Sequence, residues 1–356
     1  MAATWPDRRL LDLFGIEIPI VQAPMAGAQG ADLAAAVSEA GGLGSVPCSL
    51  LDADGVRAAL STFRAAASGP VNANFFCHDE LPVDTAVEAD WRERLAPYYG
   101  ELGLGDAPPV DVTIAPFDDA RCRVVEELRP EVVSFHFGLP AADLLERVRA
   151  TGAKVIASAT TVAEARWLAE RGCDAVIAQG AEAGGHRGMF LGTEVASQVG
   201  TMALVPQVVD AVDVPVIAAG GIADGRGITA AFVLGASGVQ IGTAYLLCPE
   251  ATISGLHRAA LGSPAATETA LTNVFTGRPA RSIMTRLMRD IGPLTPAAPG
   301  FPRASGAVLP LRLAAETDGD TAFTSLWAGQ AAPLAAALPA GELTRALAAA
   351  ALDRLS

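Results

Sequence analysis

A single alternation constrains the fold of this chain more than any other feature. Short apolar runs bounded by glycine or proline recur from Ile18 to Ile241, separated by alanine-rich stretches with helical periodicity. The runs are Ile18–Ala23, Leu43–Val46, Val71–Phe76, Val132–Phe137, Lys154–Ser158, Ala175–Ala178, Val214–Ala218 and Gly238–Ile241. Helical segments fit at Asp32–Ala40, Ala53–Ala67, Asp118–Leu128, Ala141–Thr151, Val162–Arg171, Met202–Ala211 and Gly227–Leu234. Continuous apolar runs suit parallel strands buried on both faces, and parallel strands need crossover connections. Eight such units predict an α/β fold, a TIM (β/α)8 barrel over residues 14–250, with a doubly wound open sheet as the alternative.

Two stretches exceed a minimal barrel. Residues 77–117, between the third and fourth runs, are rich in proline, glycine and acidic residues, which suits an insertion or lid over the barrel mouth. Residues 251–356 form a C-terminal extension with helices expected near Leu256–Leu261, Arg281–Met288 and Leu343–Leu355, and a proline-rich loop over Gly292–Ala307. This extension is expected to pack over the barrel and complete the substrate site.

Composition narrows the function. A formal net charge of −14 without a basic run argues against nucleic acid as a partner. The cysteines Cys48, Cys77, Cys122, Cys173 and Cys248 form no CxxC pair and no cysteine–histidine cluster at zinc spacing, so no metal site is expected. The segment Met1–Leu13 carries charges where a signal peptide needs an apolar core, and no apolar stretch approaches the length of a membrane span. A cytoplasmic monomer or homodimer is the expectation.

In a barrel, functional groups gather at the C-terminal ends of the strands, and polar residues do end these runs. The first run ends in Gln22, Ala23, Pro24 and Met25, and the third carries Asn72 and Asn74 on one face. The fourth carries His136, and the sixth ends in Gln179 before a glycine-rich loop that holds Gly184, Gly185 and His186. Glycine admits a ligand close to the backbone, and histidine titrates near neutral pH. Gly220 and Gly221 end the seventh unit, and Gln240, Ile241, Gly242 and Thr243 the eighth. Barrel enzymes often bind phosphate between these two loops. With amides near the axis, the set suits a phosphorylated planar heterocycle such as a flavin. The G-x-G-x-x-A match at Gly225–Ala230 lacks the context of a Rossmann half and reads as the start of a helix.

Taken together, Gln22–Gly27 with Ala36–Gly44, Ser134–Gly138, Glu182–Gly188 and Leu326–Gln330 resemble the motifs of the nitronate monooxygenases, formerly 2-nitropropane dioxygenases, of class I. The resemblance implies an FMN-dependent TIM-barrel oxidoreductase. It would oxidise alkyl nitronates of the propionate 3-nitronate type with O2 to a carbonyl product and nitrite, through a flavosemiquinone. By the same resemblance FMN would lie against Ala23, Pro24, Met25, Asn74, Gln179, Gly184, Gly220, Gly221 and Gln240–Thr243, with His186 as the principal catalytic residue and His136 assisting. Protonated His186 could orient an anionic nitronate, and neutral His186 could remove the α-proton of a nitroalkane. Pro299–Gly306, where class I members place aromatic residues around the substrate, has no tyrosine. FMN-dependent enoyl-acyl-carrier-protein reductases and NAD(P)H:quinone reductases are alternatives on the same fold.

Overall fold

The structure, a computed structural model, describes residues 4–356; the first three residues of the charged N-terminal segment lie outside it. Its main sheet comprises β1 (Ile20–Gln22), β2 (Gly44–Pro47), β3 (Val71–Phe76), β4 (Val132–His136), β5 (Lys154–Ala159), β6 (Ala175–Gln179), β8 (Val216–Ala219) and β9 (Gly238–Ile241). All pairings are parallel, in the order β1-β9-β8-β6-β5-β4-β3-β2, and a parallel bridge from Val21 to Leu43 joins the two ends. The result is a nearly closed TIM barrel built from the eight predicted runs.

Side chains explain these elements locally. β3 is buried along its whole length, as a strand between a filled barrel and a helical layer must be. Asp52, Asp118, Thr161 and Asp224 each cap a helix by accepting from backbone N–H groups that have no partner within the helix. The G-x-G-x-x-A match does open a helix, Gly225–Val233. Gly225 is needed there for packing: a Cβ would lie 2.7 Å from the Ala350 carbonyl carbon in the last helix, Ala340–Leu355. That last helix buries Leu343, Leu347 and Ala351 in the barrel's own core, and its Thr344 hydroxyl bonds the buried Tyr245 hydroxyl at 2.8 Å.

The insertion and the extension share a second core. Trp91, Leu95 and Tyr99 of the helix Thr85–Glu101 pack on Ala304, Ala307, Val308 and Leu311 of the helix Ala304–Thr317. Tyr99 and Trp91 donate to the carbonyls of Ala307 and Ala304. The expected helix Arg281–Met288 is divided instead: β11 (Ala280–Ile283) precedes a helix at Arg286–Ile291. β11 pairs antiparallel with β10 (Thr269–Thr272) and with β7 (Gly185–His186), so its register serves the loop after β6. The expected loop Gly292–Ala307 ends early, because Ala304 already begins a helix. Among the described residues, no helix is long and apolar enough to cross a membrane.

Candidate active site

A cavity of about 430 Å³ opens at the C-terminal ends of the barrel strands. Its wall brings together Ala23, Pro24, Met25, Asn74, His136, Gln179, Gly184, His186, Gly220, Gly221, Gln240, Gly242 and Thr243. Ile241 departs from the expectation. Its side chain is buried in the barrel core, and its carbonyl accepts from Ala23 N–H, so it holds β9 to β1 and does not border the cavity. The wall also includes residues the sequence did not single out, among them Phe76, Thr276, His257 and Arg312. Phe301 and Trp327, from the Pro299–Gly306 and Leu326–Gln330 segments, line it as well, so the tyrosine-free stretch still supplies an aromatic ring.

The loop after β6 is held from three directions. The Gln179 side chain spans its own loop, Nε2 donating to the His186 carbonyl at 3.0 Å and Oε1 accepting from Gly188 N–H at 2.8 Å. Arg187 is fully buried and donates to the carbonyls of Gln179 and Gly180 and to Gln198 Oε1. Burial with no ion-pair partner lowers its pKa to about 10. From the extension, β11 pairs Ala280 with His186 and Arg281 with Gly185, and Gly185 takes φ +69° at the turn. A residue with a Cβ would be strained there.

His186 Nε2 lies 2.9 Å from Thr276 Oγ1. When that hydroxyl donates to the Arg278 carbonyl at 3.4 Å, it accepts from Nε2–H, and the His186 lone pair resides on Nδ1. His136 Nε2 lies 3.1 Å from the His186 carbonyl, an acceptor only, so Nε2 carries the His136 proton. Burial, reinforced by neighbouring cationic groups, pushes both rings down to about 3, so both are neutral at physiological pH. Phe301, Phe76 and Trp327 stand around His186, with ring centroids 5.4, 6.4 and 5.5 Å away. Phe137, directly after β4, has φ +72° and carries the Arg278 guanidinium 3.8 Å above its ring. Backbone strain in a non-glycine residue beside a cavity is a common mark of a functional region.

The opposite wall is made of backbone. Gly220 and Gly221 have φ +111° and +69°. A Cβ on Gly184 would stand 2.5 Å from the Gly329 nitrogen. Gly329 N–H donates to Thr243 Oγ1 at 2.9 Å and Gln330 N–H to the Glu182 carbonyl at 3.0 Å, so the segment 326–330 ties the loop after β6 to the one after β9. Asn74 donates to the Ser134 hydroxyl at 2.9 Å, whereas the buried Gln240 Oε1 has no partner among the described residues. Among the described residues, the wall contains no aspartate or glutamate, and Arg312 is its only arginine or lysine.

Comparison with known proteins matches this architecture to one family. The family model for nitronate monooxygenase covers residues 7–350. Proteins named nitronate monooxygenase from Pseudomonas aeruginosa and Paraburkholderia phytofirmans are 44% and 43% identical, covering 95% and 96% of this chain and 97% and 94% of theirs. A crystal structure of nitroalkane oxidase from Streptomyces ansochromogenes is similar with a TM-score of 0.89 at 40% identity, over 98% of this chain and 100% of that one. The structure of FabK from Thermotoga maritima is similar with a TM-score of 0.75 at 29% identity, over 99% and 98%. The chain belongs to the nitronate monooxygenase family of oxidoreductases.

Proposed function

We propose that this enzyme binds FMN and oxidises alkyl nitronates of the propionate 3-nitronate type with O2, releasing a carbonyl product and nitrite. The observation that carries this reading is the arrangement of His186, ringed by aromatic side chains, opposite a wall of glycine backbone and side-chain amides.

The residues present fit a flavin. The unpartnered Gln240 Oε1 is a buried acceptor awaiting a donor, as the N–H edge of a pyrimidine ring would provide. Gly184, Gly220, Gly221 and Gly242 line the cavity with backbone, with N–H groups and the Thr243 hydroxyl available to a phosphate. Ala23, Pro24 and Met25 offer a flat apolar edge, and Asn74 and Gln179 add amides. When bound, FMN supplies the means of moving electrons from nitronate to oxygen.

The remaining chemistry belongs to the chain. His186 Nδ1, with its lone pair, can take the α-proton of a neutral nitroalkane, and a nitronate that arrives already ionised needs no such step. An anion beside His186 favours the protonated ring, which then donates to a nitronate oxygen. His136 and Gln179 fix the His186 main chain, and Phe76, Phe301 and Trp327 exclude water from the reacting carbon.

Anaerobic mixing of the flavin-loaded protein with propionate 3-nitronate, and separately with NADH, tests the reading through the flavin absorbance. A spectral change with the nitronate alone is expected. Bleaching by NADH with no response to the nitronate would favour a reductase on the same fold.

A further inference from the structure

The wall of the cavity departs sharply from the composition of the chain. Asp and Glu number 39 in the whole sequence and, among the described residues, none borders the cavity, while Arg312 does. Arg312 commits one nitrogen: Nε donates to Glu316 Oε1 at 2.8 Å, and the same carboxylate oxygen accepts from the Thr324 hydroxyl at 2.8 Å. Among the described residues, neither terminal nitrogen of the guanidinium has a protein partner. On the same wall His257 is only 8% exposed, its ring lies beside the Trp327 backbone, and among the described residues its buried Nε2 has no partner. The buried, unpaired ring nitrogen is a cost that a ligand can repay, and the partly exposed Arg312 guanidinium bordering the same cavity offers it a positive charge.

The position of this pair sets the kind of ligand. The Trp327 indole packs against His186 with centroids 5.5 Å apart, and the Trp327 backbone lies beside His257. His257 is therefore one tryptophan removed from the histidine assigned to the reacting carbon. Ser254 and Ser325 border the same cavity. We propose that Arg312 and His257 form an anion subsite that grips a carboxylate at the far end of the nitronate's carbon chain, making the enzyme selective for carboxylated nitronates over uncharged ones. This rests on the nitronate reading above. The guanidinium meets the carboxylate with its free terminal nitrogens, and the added negative charge lets His257 Nε2 carry a proton and donate. In a chain of net charge −14, an anion approaching the mouth is repelled at long range, and a local cation within the cavity offsets that repulsion where the tail comes to rest.

The test uses the full-length flavin-loaded enzyme and compares kcat/KM for propionate 3-nitronate with that for the propyl-1-nitronate of equal chain length. Losing one charge-assisted contact of a partly exposed group predicts that Arg312→Gln lowers this selectivity ratio roughly tenfold. Arg312→Lys should keep part of it, His257→Leu should lower it, and Glu316→Gln should raise it by removing the competing carboxylate. A ratio unchanged in Arg312→Gln, with both nitronates still turned over, overturns the subsite and leaves the nitronate reading standing. Turnover of neither nitronate by the unmodified enzyme overturns both. The other candidate anion is the flavin phosphate, so binding of FMN and of riboflavin to the apoprotein forms the second arm. If Arg312→Gln weakens FMN but not riboflavin, the cation serves the cofactor and the proposal fails.

Discussion

The carbonyl oxygen of His186 accepts the Nε2–H of His136 across 3.1 Å, which links the ring on β4 to the main chain of the loop after β6. Gln179 Nε2 donates to the same oxygen at 3.0 Å. Two donors on one carbonyl fix where the His186 Cα stands, while the His186 ring is oriented separately by Thr276. In this reading the two histidines divide the work: His136 places the main chain and His186 meets the substrate.

That division predicts different losses. His186→Asn removes the base, and kcat/KM for a neutral nitroalkane should fall roughly 100- to 10,000-fold, with a smaller loss for a preformed nitronate that needs no deprotonation. His136→Leu leaves the base in place but frees one side of its carbonyl, so both substrates should lose activity to a similar extent, about tenfold. Steady-state kinetics on the two substrates separates the cases. Equal losses on both substrates for His186→Asn would remove the base from the mechanism.

Three rings, His136, His186 and His257, are held at about 3, about 3 and about 4, chiefly by burial. Because the unfolded chain binds these protons near pH 6.5 and the folded one does not, their neutral burial costs nothing above pH 6.5 and costs progressively more as pH falls toward the folded values. At pH 5 the loss reaches up to about 2 kcal/mol per ring. Urea denaturation at pH 7 and pH 5 should therefore show a clear fall in stability, and His186→Asn should lessen it, with His136 and His257 still contributing. Nitroalkane turnover should show no loss with a midpoint near 6.5, since His186 keeps its lone pair well below that pH. A midpoint at 6.5 would mean that burial does not govern the ring.

Gly184→Ala tests the backbone wall. Its new methyl would stand 2.5 Å from the Gly329 nitrogen and 2.6 Å from the Ala328 carbonyl carbon, both main-chain atoms with no rotamer to change. The segment 326–330 must move, at a cost of about 1–3 kcal/mol, and the purified protein should lose bound flavin. Gly192→Ala is the control, since nothing lies within 4 Å of its Cβ. Normal flavin content in Gly184→Ala would show that the segment can shift without disturbing the cradle.

The barrel was legible because its strands are buried on both faces and punctuated by glycine and proline, a pattern that survives without any tertiary information. The histidine loop and the glycines after β8 and β9 were legible for the same reason, as departures from an apolar pattern at strand ends. What lay hidden came from the extension. Arg281 alternates with small and apolar residues in a short segment that reads equally as helix, and only its pairing with Gly185 and the Ala181 carbonyl makes it a strand residue. His257, Thr276 and Arg312 reach the cavity from segments with no strand-end context, so spacing gave no reason to group them with His186. Ile241 failed in the opposite direction. It sits inside a motif whose neighbours line the cavity, but period-two alternation turns its side chain to the face opposite Gln240, where it is buried.

Thr243 gives the sharpest separation between a structural and a ligand-binding role. Its Oγ1 accepts from Gly329 N–H at 2.9 Å, which leaves the hydroxyl proton free to donate to a phosphate lying between the loops after β8 and β9. Thr243→Val should therefore do two things. It leaves Gly329 N–H without its acceptor, costing about 1–3 kcal/mol of stability, and it removes a donor from the phosphate, weakening FMN roughly tenfold while weakening riboflavin much less. Thr243→Ser restores both functions with one methyl fewer. Thermal denaturation reads the first effect and flavin fluorescence titration the second. Equal weakening of FMN and riboflavin would mean that the hydroxyl only secures the segment 326–330, and that the phosphate is met by backbone N–H groups alone.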